Sequence, residues 1–343
     1  MNSIDLYEGI TLHHGDCRDI MRTLPADHFD AVITDPPYGI SFAGEKWDTA
    51  TPTGFQAWAQ SWGEEALRVI KPGGYLLAFS APRTYHRLTS GLEDAGFEVR
   101  DTMAWIRADG KPAGLDLASA FDRETGVLDQ REGRDVRKWD GNDETATGMS
   151  SYKVWAVGKP ATDEATKWEG WGAGLKPAWE PIVVARRPFK GRLTDNVRAH
   201  GTGAMNIRAG MDKINGSYPP NLLMGEEAMA AAVEQGAPDH VWPVFRYQPK
   251  APTSERPKVG GVQHVTVKPL ELMRYLIRLV VRPGSLILEP FAGSGTTLQA
   301  AAMENVRAVG CELDDRYIPL IKARFAQGIE APLDLFGLGD DAA

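Results

Sequence analysis

Residues 29–39 have the sequence Phe29-Asp30-Ala31-Val32-Ile33-Thr34-Asp35-Pro36-Pro37-Tyr38-Gly39. Its apolar first half predicts a buried strand. The two prolines must end that strand, because proline has no N–H for the ladder and holds its predecessor extended. Asp35 and Tyr38 are therefore presented on a stiff turn at the carboxyl end of a strand, which is where open α/β sheets bind ligands.

The groups of this turn suit a flat ring that carries an exocyclic amine. Asp35 offers a carboxylate, Pro36 and Pro37 offer carbonyls, and Tyr38 offers an aromatic face. The carboxylate and a carbonyl can each accept one N–H of the amine while the tyrosine stacks on the ring. The alternative is an ordinary strand-ending turn whose aspartate caps a helix, and these residues alone leave both interpretations open.

A second turn lies near the other end of the chain. Residues 285–298 predict a strand, a glycine turn and the start of a helix, which Thr296 and Thr297 are expected to cap. Gly293 and Gly295 permit a tight turn and the close approach of a ligand to the backbone. Glu312 ends the next predicted strand, where an acidic residue can bind two ribose hydroxyls.

Three kinds of cofactor use such a turn. A P-loop requires a lysine that this sequence lacks, and a dinucleotide site favours a small residue where Leu298 stands. The run from Glu289 to Thr297 instead resembles motif I of the amino-directed DNA methyltransferases, although that motif more often begins with Asp. The turn Asp35-Pro36-Pro37-Tyr38 resembles motif IV of the same family.

The resemblance implies a site for S-adenosyl-L-methionine and roles for individual residues. Asp16 resembles the acid of motif III, and it is also expected to cap the helix that follows. Thr266 and Lys268 belong to a stretch similar to motif X, and Trp47 is expected either to line the pocket or simply to pack against its neighbours. The implied catalytic residues are Asp35, Pro36, Pro37 and Tyr38, and the implied cofactor-binding residues are Asp16, Thr266, Lys268, Glu289, Phe291, Gly293, Gly295, Thr296, Thr297 and Glu312.

Hydrophobic spacing and local residue types predict a strand over residues 6–14, a helix that ends at residues 71–74, a helix whose first residue is Pro269 and a last helix that begins at Asp314. The alternation of strands and helices predicts a parallel α/β sheet. With the resemblance, the expected fold is a Rossmann-like S-adenosylmethionine-dependent methyltransferase fold, circularly permuted, with a mostly parallel sheet, helices on both faces and an inserted target-recognition region. The catalytic turn precedes the cofactor turn, an order that defines the β class of the family. The predicted divisions are a catalytic half at 1–107, an insert of open role at 108–178, a returning core strand at 179–187, a target-recognition region at 188–262, a cofactor half at 263–330 and a tail at 331–343.

Composition limits the function classes. The 343 residues contain no apolar run long enough to span a membrane and no recognisable signal peptide, and two cysteines fit a reducing cytoplasm. The resemblance implies that the cytoplasm is that of a bacterium or that the protein is encoded by a phage. Metal-ligand spacing is absent. The net charge of −8 argues against a polyanionic partner, but residues 183–215 and 245–282 carry local charges of +5 and +6.

The predicted reaction is methyl transfer from S-adenosyl-L-methionine to the N6 amine of adenine in double-stranded DNA, by base flipping. Asp35 favours adenine over the cytosine-N4 alternative, since cytosine enzymes of the family more often have Ser there. More distant alternatives are methylation of RNA or protein glutamine, and a DNA-binding regulator with an inactive core. A homodimer and a cognate restriction endonuclease are left open as partners.

Overall fold

The computed structural model describes residues 3–40, 48, 51–106, 115–128, 158–175, 177–210, 218–225, 234, 251–264, 266–326 and 328–329. The chain divides into two compact units. The larger comprises Met1–Ala108 and Glu180–Ala343, and the smaller comprises Asp109–Trp179. Trp47 and the stretch 245–250, which contributes to the second basic window, lie outside the described residues.

The strands, numbered along the chain, are β1 Ser3–Tyr7, β2 Ile10–His14, β3 Phe29–Thr34, β4 Ile70–Phe79, β5 Glu98–Ile106, β6 Trp179–Arg186, β7 Leu222–Met224, β8 Lys258–Val259, β9 Val262–Gln263, β10 Leu286–Glu289 and β11 Arg307–Glu312. Over the described ranges, nine of them form one sheet in the order β1-β2-β11-β10-β3-β4-β6-β5-β7. The five neighbours from β2 to β4 in that order are parallel, and β4 pairs with β6 antiparallel. The predicted mostly parallel sheet is confirmed.

The helices are α1 Cys17–Thr23, α2 Pro52–Val69, α3 Tyr85–Asp94, α4 Leu117–Glu124, α5 Asp163–Lys167, α6 Leu193–His200, α7 Leu270–Val280, α8 Thr296–Met303 and α9 Ile318–Ala326. Helices of the larger unit cover both faces of the sheet, because the central strands are apolar on both sides. Ala31 and Ile33 of β3 pack with α7, α8 and α9, whereas Val32 packs with α1, α2 and α3. Residues that alternate along one strand thus fill two separate cores.

Two strand predictions were wrong in detail, and a turn conformation explains each. The single strand expected over residues 6–14 is a hairpin, because Gly9 takes a φ of +73° between β1 and β2. Residues 71–74 were expected to end a helix ahead of β4. They lie within β4 as a bulge, since Phe29 pairs with Ile70 but Ala31 pairs with Tyr75.

Helix boundaries differ from expectation at three starts. Pro269 is the N-cap of α7 rather than its first residue. Gly295 caps α8 with a φ of +80°, so Thr296 and Thr297 lie inside the helix and are not its caps. The last helix was expected from Asp314 and begins at Ile318. The cap predicted for α1 is confirmed, because Asp16 accepts the N–H of Arg18 at 2.9 Å.

The smaller unit contains α4 and α5, joined through one buried acid. Asp122 accepts the N–H groups of Ala161 and Thr162, at 3.0 and 3.2 Å, and the hydroxyl of Thr162 at 2.9 Å. Across the parts of the chain that the structure describes, no helix has the length and apolar character needed to cross a membrane. The same residues contain no group of three or more His, Cys, Asp or Glu side chains placed to hold a metal ion.

Candidate active site

The two predicted turns emerge side by side from neighbouring parallel strands. Ala31 and Val32 of β3 pair with Ile287 and Leu288 of β10. Adjacent strands lie about 4.8 Å apart, so the turn after β3 and the turn after β10 leave the same edge of the sheet as neighbours. Sequence positions about 250 residues apart therefore share one site.

Two further predicted acids lie along this edge. β11 pairs with β10 on one side and with β2 on the other, where Glu312 is opposite His14. The N–H of Gly15 donates to the backbone carbonyl of Glu312 at 2.9 Å. Asp16 therefore follows β2 directly beside the end of β11. Arg18 binds the Asp16 carboxylate at 2.6 Å and lowers its pKa.

The predicted catalytic turn, residues 35–39, is held by an acid that sequence reasoning did not single out. Asp48 is 1% exposed, and its carboxylate accepts the backbone N–H groups of Tyr38 at 2.6 Å, Gly39 at 2.7 Å and Ile40 at 3.2 Å. These three N–H groups follow the prolines, where no strand partner is available. Asp48 supplies the acceptors they need and so fixes the turn that presents Asp35 and Tyr38.

Asp35 lies in a charged cluster rather than alone. The ammonium of Lys268 donates to Asp35 Oδ2 at 2.7 Å and to the Tyr38 hydroxyl at 3.0 Å. The Tyr38 hydroxyl lies 2.8 Å from Asp35 Oδ1. Lys268 is 8% exposed, with its nitrogen 4.8 Å from the centre of the Phe79 ring. Lys268 was expected at the cofactor or the DNA, and it contacts the predicted catalytic carboxylate.

Glu180 completes the cluster and was also missed as a site residue. Its Oε2 lies 3.1 Å from the Tyr38 hydroxyl and 3.4 Å from the Lys268 nitrogen. Burial, together with the negative charges of Asp35 and Glu180, raises the pKa of Tyr38 well above its usual value. The hydroxyl therefore keeps its one proton and donates it to either carboxylate. The available signal was an acid inside the apolar run of β6.

The glycine turn leaves bare backbone against a histidine ring. Gly293 has a φ of +52°, and a Cβ there would lie 3.0 Å from Nε2 of His264. The His264 ring packs edge-on against Tyr317 at 4.4 Å between centroids. Burial lowers the pKa of His264, which favours the neutral imidazole. Sequence reasoning had not assigned His264 to the site, although it lies in the stretch that resembles motif X.

Glu312 is anchored by the turn it faces. Its Oε2 accepts the N–H of Gly293 at 2.7 Å, and its Oε1 accepts the N–H of Asp314 at 2.8 Å. Burial raises its pKa to about 7, although these hydrogen bonds act in the opposite direction. A carboxylate oxygen has two lone pairs, so each oxygen retains acceptor capacity for a ligand.

The buried side chain of Glu289 links the end of β3 to the glycine turn. It is 1% exposed and accepts hydrogen bonds from the Thr34 hydroxyl, from Thr297 Oγ1 at 2.5 Å and from the Phe291 N–H at 3.1 Å. Burial raises its pKa to about 8. The Phe291 ring packs 5.5 Å from Trp58, toward α2. Glu289, Phe291 and Thr297 thus shape the turn from its buried side.

Two other predicted cofactor residues have local partners. The Thr296 hydroxyl lies 3.2 Å from that of Ser294, and both side chains are buried. Nδ1 of His264 lies within hydrogen-bond distance of the Thr266 carbonyl oxygen and 3.3 Å from the Thr266 N–H. Thr266 therefore orients the histidine that lies over Gly293, whereas Lys268, two residues later, reaches Asp35.

Some basic residues of the two positively charged ranges, 183–215 and 245–282, form ion pairs within the fold. Arg186 pairs with Glu98 at 2.8 Å and Arg274 with Glu304 at 2.6 Å. The helix α6, which lies in the predicted target-recognition region, follows the end of β6 that pairs with the start of β4. Its Asn196 donates to the Pro72 carbonyl at 3.0 Å, at the opposite end of β4 from the catalytic edge. Exposed basic residues in the two windows include Lys190, Arg192, Arg208, Lys258 and Arg282.

Comparison with known proteins gives consistent matches. A family model described as DNA methylase matches residues 29–323. The type II methyltransferase M.HindIII of Haemophilus influenzae is 28% identical over 332 residues, covering 85% of this chain and 87% of that protein. The solved structure of PvuII DNA methyltransferase (cytosine-N4-specific) aligns with a TM-score of 0.51 and 15% identity, over 92% of this chain and 85% of that chain. The structure of the M1.HpyAVI–SAM complex aligns with a TM-score of 0.45 and 16% identity, over 92% and 98%. The likeness to the PvuII enzyme concerns the fold alone, and the predicted Rossmann-like methyltransferase fold is confirmed.

Proposed function

This chain belongs to the N6/N4 DNA methylase family, and we propose that it methylates the N6 amine of adenine in double-stranded DNA. The chain is a DNA methyltransferase, and the step beyond that statement is the identity of the base. The observation that carries the proposal is the adjacency of two turns. Asp35 follows β3, the glycine turn follows β10, and these strands are paired in parallel.

S-adenosyl-L-methionine is the cofactor of this reaction, and the residues of the glycine turn fit it. Gly293 has no side chain and its backbone packs against the His264 ring, so a larger residue there would distort the turn proposed to hold the cofactor. Glu312, at the tip of β11, keeps lone pairs for the ribose hydroxyls. When bound, the cofactor supplies an electrophilic methyl group on a sulfonium. Asp16, Thr266, Phe291, Gly295, Thr296 and Thr297 are proposed to shape or line this site, with Glu289 beneath it.

Asp35 is proposed to accept a hydrogen bond from the amine and to stabilise the positive charge that develops on it, and not to act as a strong base. The lone pair of an aromatic amine is delocalised into its ring, so the amine is a weak nucleophile. Hydrogen bonds from its N–H groups to Asp35 and to the Pro36 carbonyl favour a pyramidal nitrogen, and the carboxylate stabilises positive charge that develops there. Once the methyl group is on the nitrogen, the N–H becomes acidic and Asp35 takes its proton, which leaves the neutral methylated amine. Pro37 stiffens the turn, and Tyr38 stacks on the flipped base.

The proposal of adenine rather than cytosine as the target base rests on the residue at position 35. Asp stands at position 35, where the family's cytosine enzymes more often have Ser. Cytosine-N4 methylation uses the same arrangement of acceptors and remains the alternative product. The order of the turns, catalytic before cofactor, further suggests the permuted β class. A homodimer and a cognate restriction endonuclease stay predictions from the resemblance.

The deciding experiment is mass spectrometry of nucleosides from methylation-free genomic DNA incubated with the protein and S-adenosyl-L-methionine that carries a deuterated methyl group. Deuterated N6-methyladenine is the expected product, and Asp35→Ala protein provides the matched blank. Deuterated N4-methylcytosine would overturn the choice of base and keep the reaction. No labelled base, from protein shown to bind the cofactor, would contradict methylation and favour the inactive DNA-binding regulator.

A further inference from the structure

We propose that Glu180 is a positioning residue for methyl transfer, acting as the counter-ion of Lys268 so that Asp35 keeps a negative charge toward the target amine. The inference rests on the proposed function and concerns the same site. Glu180 is not expected to touch the base or the cofactor. It acts through two side chains that it contacts, Lys268 and Tyr38.

The need for a counter-ion follows from the position of Lys268. Its ammonium lies 2.7 Å from Asp35 Oδ2. A cation so close to the accepting carboxylate opposes the positive charge that develops on the amine, and it does so strongly where solvent is largely excluded. Asp35 and Lys268 alone would form a neutral pair with little power to stabilise that charge.

Glu180 changes the net charge of the cluster that it forms with Asp35, Tyr38 and Lys268. The side chains of Lys268, Glu180 and Asp35 are 8%, 14% and 20% exposed, so solvent screens them weakly. Two carboxylates and one ammonium carry a net charge of −1, and the Tyr38 hydroxyl stays neutral. With Glu180 sharing the ammonium at 3.4 Å, the remaining negative charge is available on the face that Asp35 presents.

Two other titratable groups near Asp35 do not change this net charge of −1 near neutral pH. Glu289 and His264 both interact electrostatically with Asp35. Burial raises the pKa of Glu289 to about 8, so it holds its proton, and burial lowers the pKa of His264, so its ring is neutral. The charge presented to the amine is therefore set by Asp35, Glu180 and Lys268.

The sheet explains how Glu180 reaches the catalytic edge. β6 runs antiparallel to β4, with Ile182 opposite Phe79, so the strand begins at the edge where β3 and β4 end. The Ser80 N–H donates to the Pro181 carbonyl at 2.9 Å and fixes this start. An antiparallel strand thus delivers the residue at its amino end to a site that otherwise receives the carboxyl ends of strands.

The test is a charge-balancing set of variants: Glu180→Gln, Lys268→Met and the double variant. Glu180→Gln leaves the cluster neutral, and we expect kcat to fall about 10- to 100-fold, with little change in the KM for DNA or in cofactor binding. The double variant restores the charge of −1, so its kcat is expected to exceed that of Glu180→Gln. A double variant no faster than Glu180→Gln would overturn the proposal.

The pH profile of kcat separates an electrostatic role from a structural one. In Glu180→Gln the Lys268 ammonium has only the Asp35 carboxylate of the cluster to stabilise, so the acidic limb of the pH profile of kcat is expected at lower pH. Removing Lys268 leaves two carboxylates in contact, so the limb is expected at higher pH, and the double variant returns toward the wild type. Limbs that all coincide would assign Glu180 to stability alone and overturn the proposal.

Matched variants exclude trivial causes. Lys71 also makes a partly buried ion pair, with Asp30 at 2.6 Å, but it lies at the end of β4 away from Asp35. Lys71→Met is expected to lower stability without moving the acidic limb. Glu180→Asp keeps the charge and is expected to keep the limb of the wild type, which tests the idea even where Glu180→Gln folds poorly. Failure of the wild type to methylate DNA would defeat the proposed function, whereas an unaffected Glu180→Gln in an active background would defeat only this inference.

Discussion

The hydroxyl of Thr34 donates a hydrogen bond to the carboxyl group of Glu289, which is 255 positions away in the chain. Thr34 is the last residue of β3 and Glu289 is the last residue of β10. Both are buried, so the bond forms where water cannot compete for either partner. It fixes the two strands at the point where the catalytic turn and the glycine turn begin.

Replacing the predicted catalytic acid is expected to separate chemistry from cofactor binding. In Asp35→Ala, the amine loses the carboxylate that accepts its N–H and stabilises its charge. We expect kcat to fall by about 100- to 1,000-fold or more, with the dissociation constant for S-adenosyl-L-methionine nearly unchanged. Single-turnover methylation and isothermal titration calorimetry measure the two quantities.

Asp19→Ala is the matched control for Asp35→Ala. Asp19 also forms an ion pair, with Arg22 at 2.7 Å, but its side chain is 71% exposed on α1. Its removal is expected to leave both kcat and cofactor affinity as in the wild type. An equal loss of turnover and cofactor binding in Asp35→Ala would show that Asp35 belongs to the cofactor site.

The edge that carries Asp35, Gly293 and Glu312 could be predicted from the sequence. Each residue belongs to a local pattern with its own geometry, a strand followed by a turn, and parallel strands bring such turns to one edge. Glu180 and Asp48 could not be predicted in this way. Glu180 depends on the direction of β6 in the sheet, and Asp48 depends on a loop without periodicity folding back on Tyr38.

The details that sequence reasoning missed elsewhere have the same origin. Gly9 and Gly73 take φ values of +73° and +81°, which turn one predicted strand into a hairpin and place a bulge in β4. Lys268 was expected near a ligand because of the motif it resembles. Its contact with Asp35 joins residues 233 positions apart, and no local pattern encodes such a pairing.

A side chain at Gly293 is expected to block the cofactor. In Gly293→Val, the new Cβ would lie 3.0 Å from Nε2 of His264, on a backbone whose φ of +52° already disfavours side chains. The glycine turn must shift, so calorimetry is expected to detect no cofactor binding. Gly284→Val is the control, because Gly284 has a φ of +81° but a Cβ added there would meet no atom within 4 Å. A normal isotherm for Gly293→Val would contradict the proposed cofactor site.

Asp48 is expected to matter for turnover without touching a ligand. In Asp48→Ala, the N–H groups of Tyr38, Gly39 and Ile40 lose their acceptor, at about 1–3 kcal/mol for each group left buried and unpaired. We expect a lower midpoint of urea unfolding and a lower kcat, because the turn that carries Asp35 loosens. Asp48→Asn keeps one acceptor oxygen and is expected to be milder on both scales. Equal effects of the two substitutions would argue against these hydrogen bonds as the cause.

Glu289 is expected to make stability depend on pH. Burial raises its pKa from 4.5 to about 8, so the folded protein holds a proton that the unfolded chain releases. The free energy of unfolding is therefore expected to fall as pH rises from about 4.5 to about 8, by about 1.4 kcal/mol per pH unit from this group, and then to level off. Glu312, whose pKa is raised to about 7, adds a similar fall over a narrower range.

Urea unfolding across this pH range tests the role of Glu289 through Glu289→Gln, which keeps the shape and one acceptor oxygen but cannot titrate. The variant is expected to lose the Glu289 share of the slope and to keep the share of Glu312, so its profile should be flat above about pH 7. Glu64→Gln, on the exposed side of α2, is expected to leave the wild-type profile unchanged. A Glu289→Gln profile parallel to the wild type would mean that Glu289 is ionised in the folded protein, with its charge stabilised by the hydroxyls of Thr34 and Thr297.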